Sequence, residues 1–139
     1  MTNGTVSRRQ ARRAAFQLLY QQDVVDGELP ALVERYEADT GEPIPTYTRE
    51  ATEGVLAARE RLDRMIDDAA AGWTAERLGA VERAILRVAL WELTERPDIP
   101  VAAAIDEAVE LSKRYASPEA AAFVNGVLGR VARQQGRGT

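Results

Sequence analysis

Arg8, Arg9, Arg12, Arg13, Phe16, Gln17 and Tyr20, crowded into one short stretch, are the densest group of chemically capable side chains in the sequence. A guanidinium holds phosphate through a planar fork of donors, and an aromatic ring stacks an unpaired base for roughly 1–3 kcal/mol. Residues 1–22 contain no acid although the whole chain carries a net charge of −4, so any pull on a polyanion is local to this segment. The same pattern also describes a solvated basic helix face that binds nothing, and the sequence leaves both readings open. A second oddity is Glu82 and Glu92, which project from an otherwise apolar stretch. A carboxylate there needs an arginine of the same protein or, for Glu82, a place at the edge of a groove where another protein docks.

Much chemistry is excluded. Without cysteine or histidine there is no disulfide, thiolate nucleophile or cysteine metal site, and the commonest general base and zinc ligand are missing. The glycines are scattered and form no phosphate-cradling loop. Asp63, Asp67 and Asp68 alternate with Arg59, Arg61 and Arg64 about one helical turn apart, a pattern of surface pairing rather than of a metal or acid–base cluster. A small carboxylate-dependent hydrolase therefore ranks last, and the expectation is a protein that is not an enzyme, with no catalytic residue, metal or cofactor. Hydrophobic residues at 45% and charged residues at 29% place the chain among globular proteins rather than disordered ones. No run of about 18 apolar residues and no leader pattern occurs, so a cytoplasmic protein without membrane contact is expected.

The elements that must carry these residues read as helices throughout. Ser7 and Gln10 form a capping box that starts a helix through Val25, with Ala11, Ala14, Ala15, Leu18 and Leu19 on its buried face. Arg9, Arg13, Phe16 and Tyr20 fall on the opposite side, with Gln17 beside them. A second helix, 29–38, buries Leu32, Val33 and Tyr36 and stops near Gly41; Pro43 and Pro45 then mark a connector. Thr48 is expected to cap one long helix to Ala71, after which Gly72 breaks the chain, Trp73 packs between helices and Thr74 caps the next. The stretch LGAVERAILRVALWEL, Leu78 to Leu93, is apolar nearly all round and so is a buried helix, with Arg83, Arg87 and Thr94 on its one wet stripe.

Beyond Pro97 and Pro100 the spacing predicts an amphipathic helix over 101–115. Ser117-Pro118-Glu119 then opens a last helix, in which Gly126 and Gly129 imply close helix packing, since each costs about 1 kcal/mol relative to alanine. Nothing reads as a strand. The expected fold is all-α, a single-domain helical bundle of about six or seven helices over 7–135, with a disordered arm at 1–6 and a disordered tail at 136–139.

Three blocks carry a family resemblance: RRQARRAAFQLLYQQD; GWTAERLGAVERAILRVALWEL; and IPVAAAIDEAVELSKRY followed by FVNGVLGRV. In this order they closely resemble the NusB family of bacterial transcription antitermination factors, over nearly the whole chain except residues 26–50. The resemblance implies a NusB-like helical RNA-binding factor that pairs with NusE, also a protein of the small ribosomal subunit. The pair would recognise single-stranded boxA-type RNA in ribosomal RNA leaders and join the RNA polymerase antitermination complex that reads through terminators. Carried onto this sequence, it implies RNA contacts from Arg8, Arg9, Arg12, Arg13, Gln17, Tyr20, Tyr115, Glu119 and Phe123, and a NusE contact from Glu82. The reading set against it is a non-catalytic protein–protein interaction scaffold, which as a homodimer would turn its basic face to an acidic surface.

Overall fold

Apolar residues at helical spacing, punctuated by glycine, proline and capping hydroxyls, build seven helices in the computed structural model, which describes residues 7–25, 27–70, 72 and 77–136. They are α1 (Arg8–Val25), α2 (Leu29–Thr40), α3 (Thr46–Ala57), α4 (Arg59–Ala69), α5 (Ala80–Glu95), α6 (Val101–Tyr115) and α7 (Pro118–Gln134), and no strand occurs among the described residues. The protein is all-α. Expectations for residues 1–6, for Trp73 and Thr74, and for 137–139 lie outside the described residues.

The capping motifs predicted for the first and last helices form. The Ser7 hydroxyl accepts from the Gln10 amide at 3.0 Å while the Ser7 amide donates to Gln10 Oε1 at 3.1 Å. At α7 the Ser117 hydroxyl accepts from the Ala120 amide at 3.0 Å, with Pro118 at the first helical position, where its missing N–H costs nothing. Gly41 closes α2 at φ 75°, a left-handed conformation that glycine adopts without a steric penalty.

Every residue of α5 from Ala84 to Leu93 is buried. The reason is its place in the bundle: α1, α3, α4, α6 and α7 all pack on it. Its predicted wet stripe is only partly open, since Arg83 and Thr94 are half-buried. Arg87 is buried and donates to both oxygens of Asp63, at 2.8 and 2.9 Å. Asp23, near the end of α1, lies 2.8 Å from Arg83, 3.5 Å from Arg59 and 3.8 Å from Arg87. One carboxylate thus ties α1 to α4 and α5, and the two arginines of the stripe meet acids of neighbouring helices.

Three expectations are corrected. The single helix from Thr48 is two helices, α3 and α4, which turn at Ala58 (φ −104°, ψ 11°), where the Ala58 amide is shared between the Gly54 and Val55 carbonyls. The turn lets α3 lie on α1 and α5 while α4 lies on α5 and α7. Thr48 is no cap: it is buried inside α3 and its hydroxyl donates to the Ala11 carbonyl at 2.8 Å. Nor do Gly126 and Gly129 serve close packing. A Cβ at Gly126 would meet nothing within 4 Å, and one at Gly129 only the tip of Arg133. The glycine that does serve it is Gly54, where a Cβ would fall 2.2 Å from Trp91 Nε1.

Candidate nucleic-acid and protein interface

The arginines of α1 divide by depth. Arg8 is exposed, makes no hydrogen bond or ion pair among the described residues, and lays its guanidinium carbon 4.1 Å from the centroid of the Tyr47 ring. Arg9 is exposed over 67% of its side chain, and its Nε donates to Glu107 of α6. Arg13 is half-buried, with a buried Nε that has no partner among the described residues. Arg12 is buried and donates from Nε to Glu92 Oε2 at 2.7 Å. Its sequence-based placement among groups open to phosphate is corrected. Its partner Glu92 stands on α5 and also holds Tyr47 of α3, so the two helices packed on this side of α1 close over it.

Phe16 is likewise core, at 3% exposure, rather than an exposed stacking ring. It still organises the surface above it, since its ring lies 5.4 Å from that of Tyr115 and 6.5 Å from that of Tyr20, centroid to centroid. Tyr115, 39% exposed at the end of α6, and half-buried Tyr20 on α1 are thereby brought to one aromatic cluster. Gln17, also on α1, is half-buried.

Below Arg8 lies a buried polar network. Glu92, 1% exposed, accepts from Arg12 and from the Tyr47 hydroxyl, so the expectation that this carboxylate pairs with an arginine of the same protein is met. Burial first, and then the charge and hydrogen bond of Glu92, push the Tyr47 phenol well above its ordinary value. Folded protein therefore keeps a proton that the unfolded chain releases above about pH 10. The stability this contributes is complete below that pH and is lost as pH climbs past it. Urea titrations should show a falling alkaline limb that Tyr47→Phe flattens; an unaltered limb in that variant would assign the loss to other groups.

The remaining predicted residues meet elsewhere. Glu82, in the first turn of α5 where the helix dipole favours an acid, lines a groove of about 350 Å³ with Glu119 and Phe123 from the start of α7. Leu78 and Ala120 add apolar lining, and Arg77 stands at the same groove. The Glu82 carboxylate folds back so that Oε1 lies 2.5 Å from where a Cβ on Gly79 would sit. Glu119 and Phe123, expected with the RNA residues, thus share a groove with Glu82, expected with the protein partner. Sequence reasoning missed Tyr47, Glu107 and Asp23, and of these only Tyr47 carried a signal, an aromatic two residues after Pro45.

An all-α bundle whose first helix carries arginines in its first turns and, farther along, an aromatic cluster shared with α6, together with an acid-rimmed, partly apolar groove, defines a helical binding domain. The NusB family profile matches residues 9–133, and the chain belongs to the NusB family. It is 43% identical to the transcription antitermination protein NusB of Beutenbergia cavernae, over 91% of this chain and 90% of that one. To the NusB of Rubrobacter xylanophilus it is 44% identical, over 88% of each. Among solved structures, T. maritima NusB superposes with a TM-score of 0.84 at 32% identity, covering 93% of this chain and 92% of that one. A crystal structure of antitermination factors NusB and NusE in complex with dsRNA matches at a TM-score of 0.79 and 27% identity, covering 91% and 96%.

Proposed function

We propose that the chain is a transcription antitermination factor that binds single-stranded boxA-type RNA of ribosomal RNA leaders together with NusE and supports read-through by RNA polymerase. The observation that carries this reading is the co-location, on a NusB-family fold, of exposed Arg8 and Arg9 on the same helix as the Tyr20–Phe16–Tyr115 cluster. Binding is additive and involves no bond-making. Arginines neutralise phosphates, which makes affinity fall with salt, and the tyrosines offer faces to unpaired bases. Glu82 and its groove serve the protein partner.

Fluorescence anisotropy tests this with a boxA-type strand, a scrambled strand and a duplex at two salt concentrations, with and without NusE. The expected result is a preference for the boxA-type strand that weakens with salt and strengthens with NusE. Indifference to all three RNAs under every condition would move the function to a protein-interaction scaffold, and sedimentation would then show whether it is a homodimer.

The two faces are separable by charge reversal. Glu82→Arg should weaken NusE binding by roughly tenfold or more, since like charges across an interface cost several kcal/mol, while RNA binding by the chain alone stays as it was. Arg13→Glu should do the reverse. Calorimetry against NusE and anisotropy against RNA, run on both variants, would overturn the division if each variant lost both activities equally.

A further inference from the structure

We infer that Tyr47 is a positioning residue for the nucleic-acid face: its ring holds the Arg8 guanidinium in place, and the buried Arg12–Glu92 pair holds the ring. The inference rests on the RNA-binding reading above for its functional consequence, but the arrangement is geometric. Tyr47 belongs to α3 and is 8% exposed. Its hydroxyl is fixed at Glu92, whose same oxygen receives Arg12 Nε at 2.7 Å. One side of the ring is packed by Trp91, 5.9 Å away centroid to centroid and inclined at 59°. Arg96 also reaches the ring, at 5.1 Å, and is itself clamped by Glu50 at 2.8 Å and by Asp98 at 3.0 and 3.1 Å. A tyrosine held at its tip, edge and neighbour in this way is a rigid plate.

Arg8 stands on that plate with no hydrogen-bonding partner among the described residues. Stacking uses the face of a guanidinium and leaves its in-plane N–H donors available, which is the fork a phosphate needs. A long side chain at the first turn of a helix would otherwise sample many rotamers, and ordering it on contact with RNA would weaken binding. The plate does the ordering beforehand. Arg8 and Arg12, four residues apart and equivalent in sequence, therefore serve one phosphate contact at different depths: Arg8 makes it, and Arg12 acts on it through Glu92 and Tyr47.

The test has one arm without RNA and one with it. In NMR spectra of the intact chain, the Arg8 side-chain protons should be shifted upfield by the Tyr47 ring, and Tyr47→Leu should abolish the shift. In anisotropy with a boxA-type strand and NusE present, Tyr47→Leu should weaken binding about two- to tenfold, the cost of ordering one long side chain on binding, and Arg8→Gln, which removes the contact itself, should weaken it at least as much. The double variant should lose no more than Arg8→Gln alone, because Tyr47 acts on the RNA only through Arg8. Should Tyr47→Leu fail to fold, Tyr47→Phe decides the matter: it keeps the ring, releases its tip, and should reduce the Arg8 shift with a smaller loss of affinity. An Arg8 shift indifferent to the Tyr47 substitution, or losses that add in the double variant, would overturn the inference. Failure of the wild-type chain to bind RNA would instead remove the functional reading, while the spectra alone would still decide whether Tyr47 holds Arg8.

Discussion

Glu92→Ala should lower the unfolding free energy by about 3–5 kcal/mol, the usual result of removing one partner from a buried ion pair. Glu92 is 1% exposed and its arginine partner 8% exposed over the side chain. Alanine would leave the Arg12 guanidinium buried without a counter-charge and the Tyr47 hydroxyl without its acceptor. The cost thus comes from what is stranded more than from the bond lost. Urea unfolding with linear extrapolation reads it directly. The companion variant is Arg12→Met with Glu92→Leu, which removes both charges and fills their volume; it should regain most of the loss, because a well-packed apolar pair can replace a buried ionic one. A single-variant loss below about 1 kcal/mol, the range of exposed pairs, would mean that water reaches the pair. Arg12→Glu is for the same reason a poor probe of RNA binding, since it sets two buried carboxylates against each other.

Gly54→Ala should be destabilising by about 1–3 kcal/mol, as overpacking in a tight core generally is. The added Cβ would lie 2.2 Å from Nε1, 2.7 Å from Cε2 and 3.1 Å from Cδ1 of Trp91. An indole cannot yield as the end of a lysine can, so either the ring rotates or α3 lifts from α5. Alanine is otherwise the better helix former, and propensity alone predicts a gain of about 1 kcal/mol. The sign of the effect therefore tells which term wins. Trp91→Phe on its own loses packing, yet in combination with Gly54→Ala it makes room for the new methyl group. Thermal or urea unfolding of the two single variants and the double should give a double-variant penalty smaller than the sum. Strict additivity would show that the two residues do not compete for the same space.

The starts of α1 and α7 and the buried axis were legible because their causes are local. Ser7 with Gln10, and Ser117 with Pro118, satisfy amides within their own first turns. The apolar coat of α5 could only belong to a helix surrounded by others. What escaped the sequence depends on neighbours. A helical wheel gives the angle of Arg12 and Phe16 but not that α2, α3 and α5 close around α1. The turn at Ala58 has neither glycine nor proline at its centre, so no breaker announces it. Gly54 and Gly126 are indistinguishable as letters, and only the indole packed against the first tells them apart. At the site the same limit applies. The arginines of α1 were visible as a cluster, whereas Tyr47, which sorts Arg8 from Arg12, lies on another helix and touches both only through the fold.

The attachment of α2 gives the native state an uneven grain. This helix packs chiefly on α1, through Leu18, Val33 and Ile44 with Leu29, Leu32 and Tyr36 around them, apart from the main core. Releasing it gives up one small apolar cluster and leaves the wrapping of α5 by the other helices intact. Sub-global opening is drawn from such weakly held units, and the free energy of opening rises from them towards the core. The α2 segment, flanked by the glycine-closed turn at Gly41, is thus the natural first step on the unfolding route. Amides in α5 should exchange only when the whole bundle comes apart, which hydrogen-exchange measurements would show.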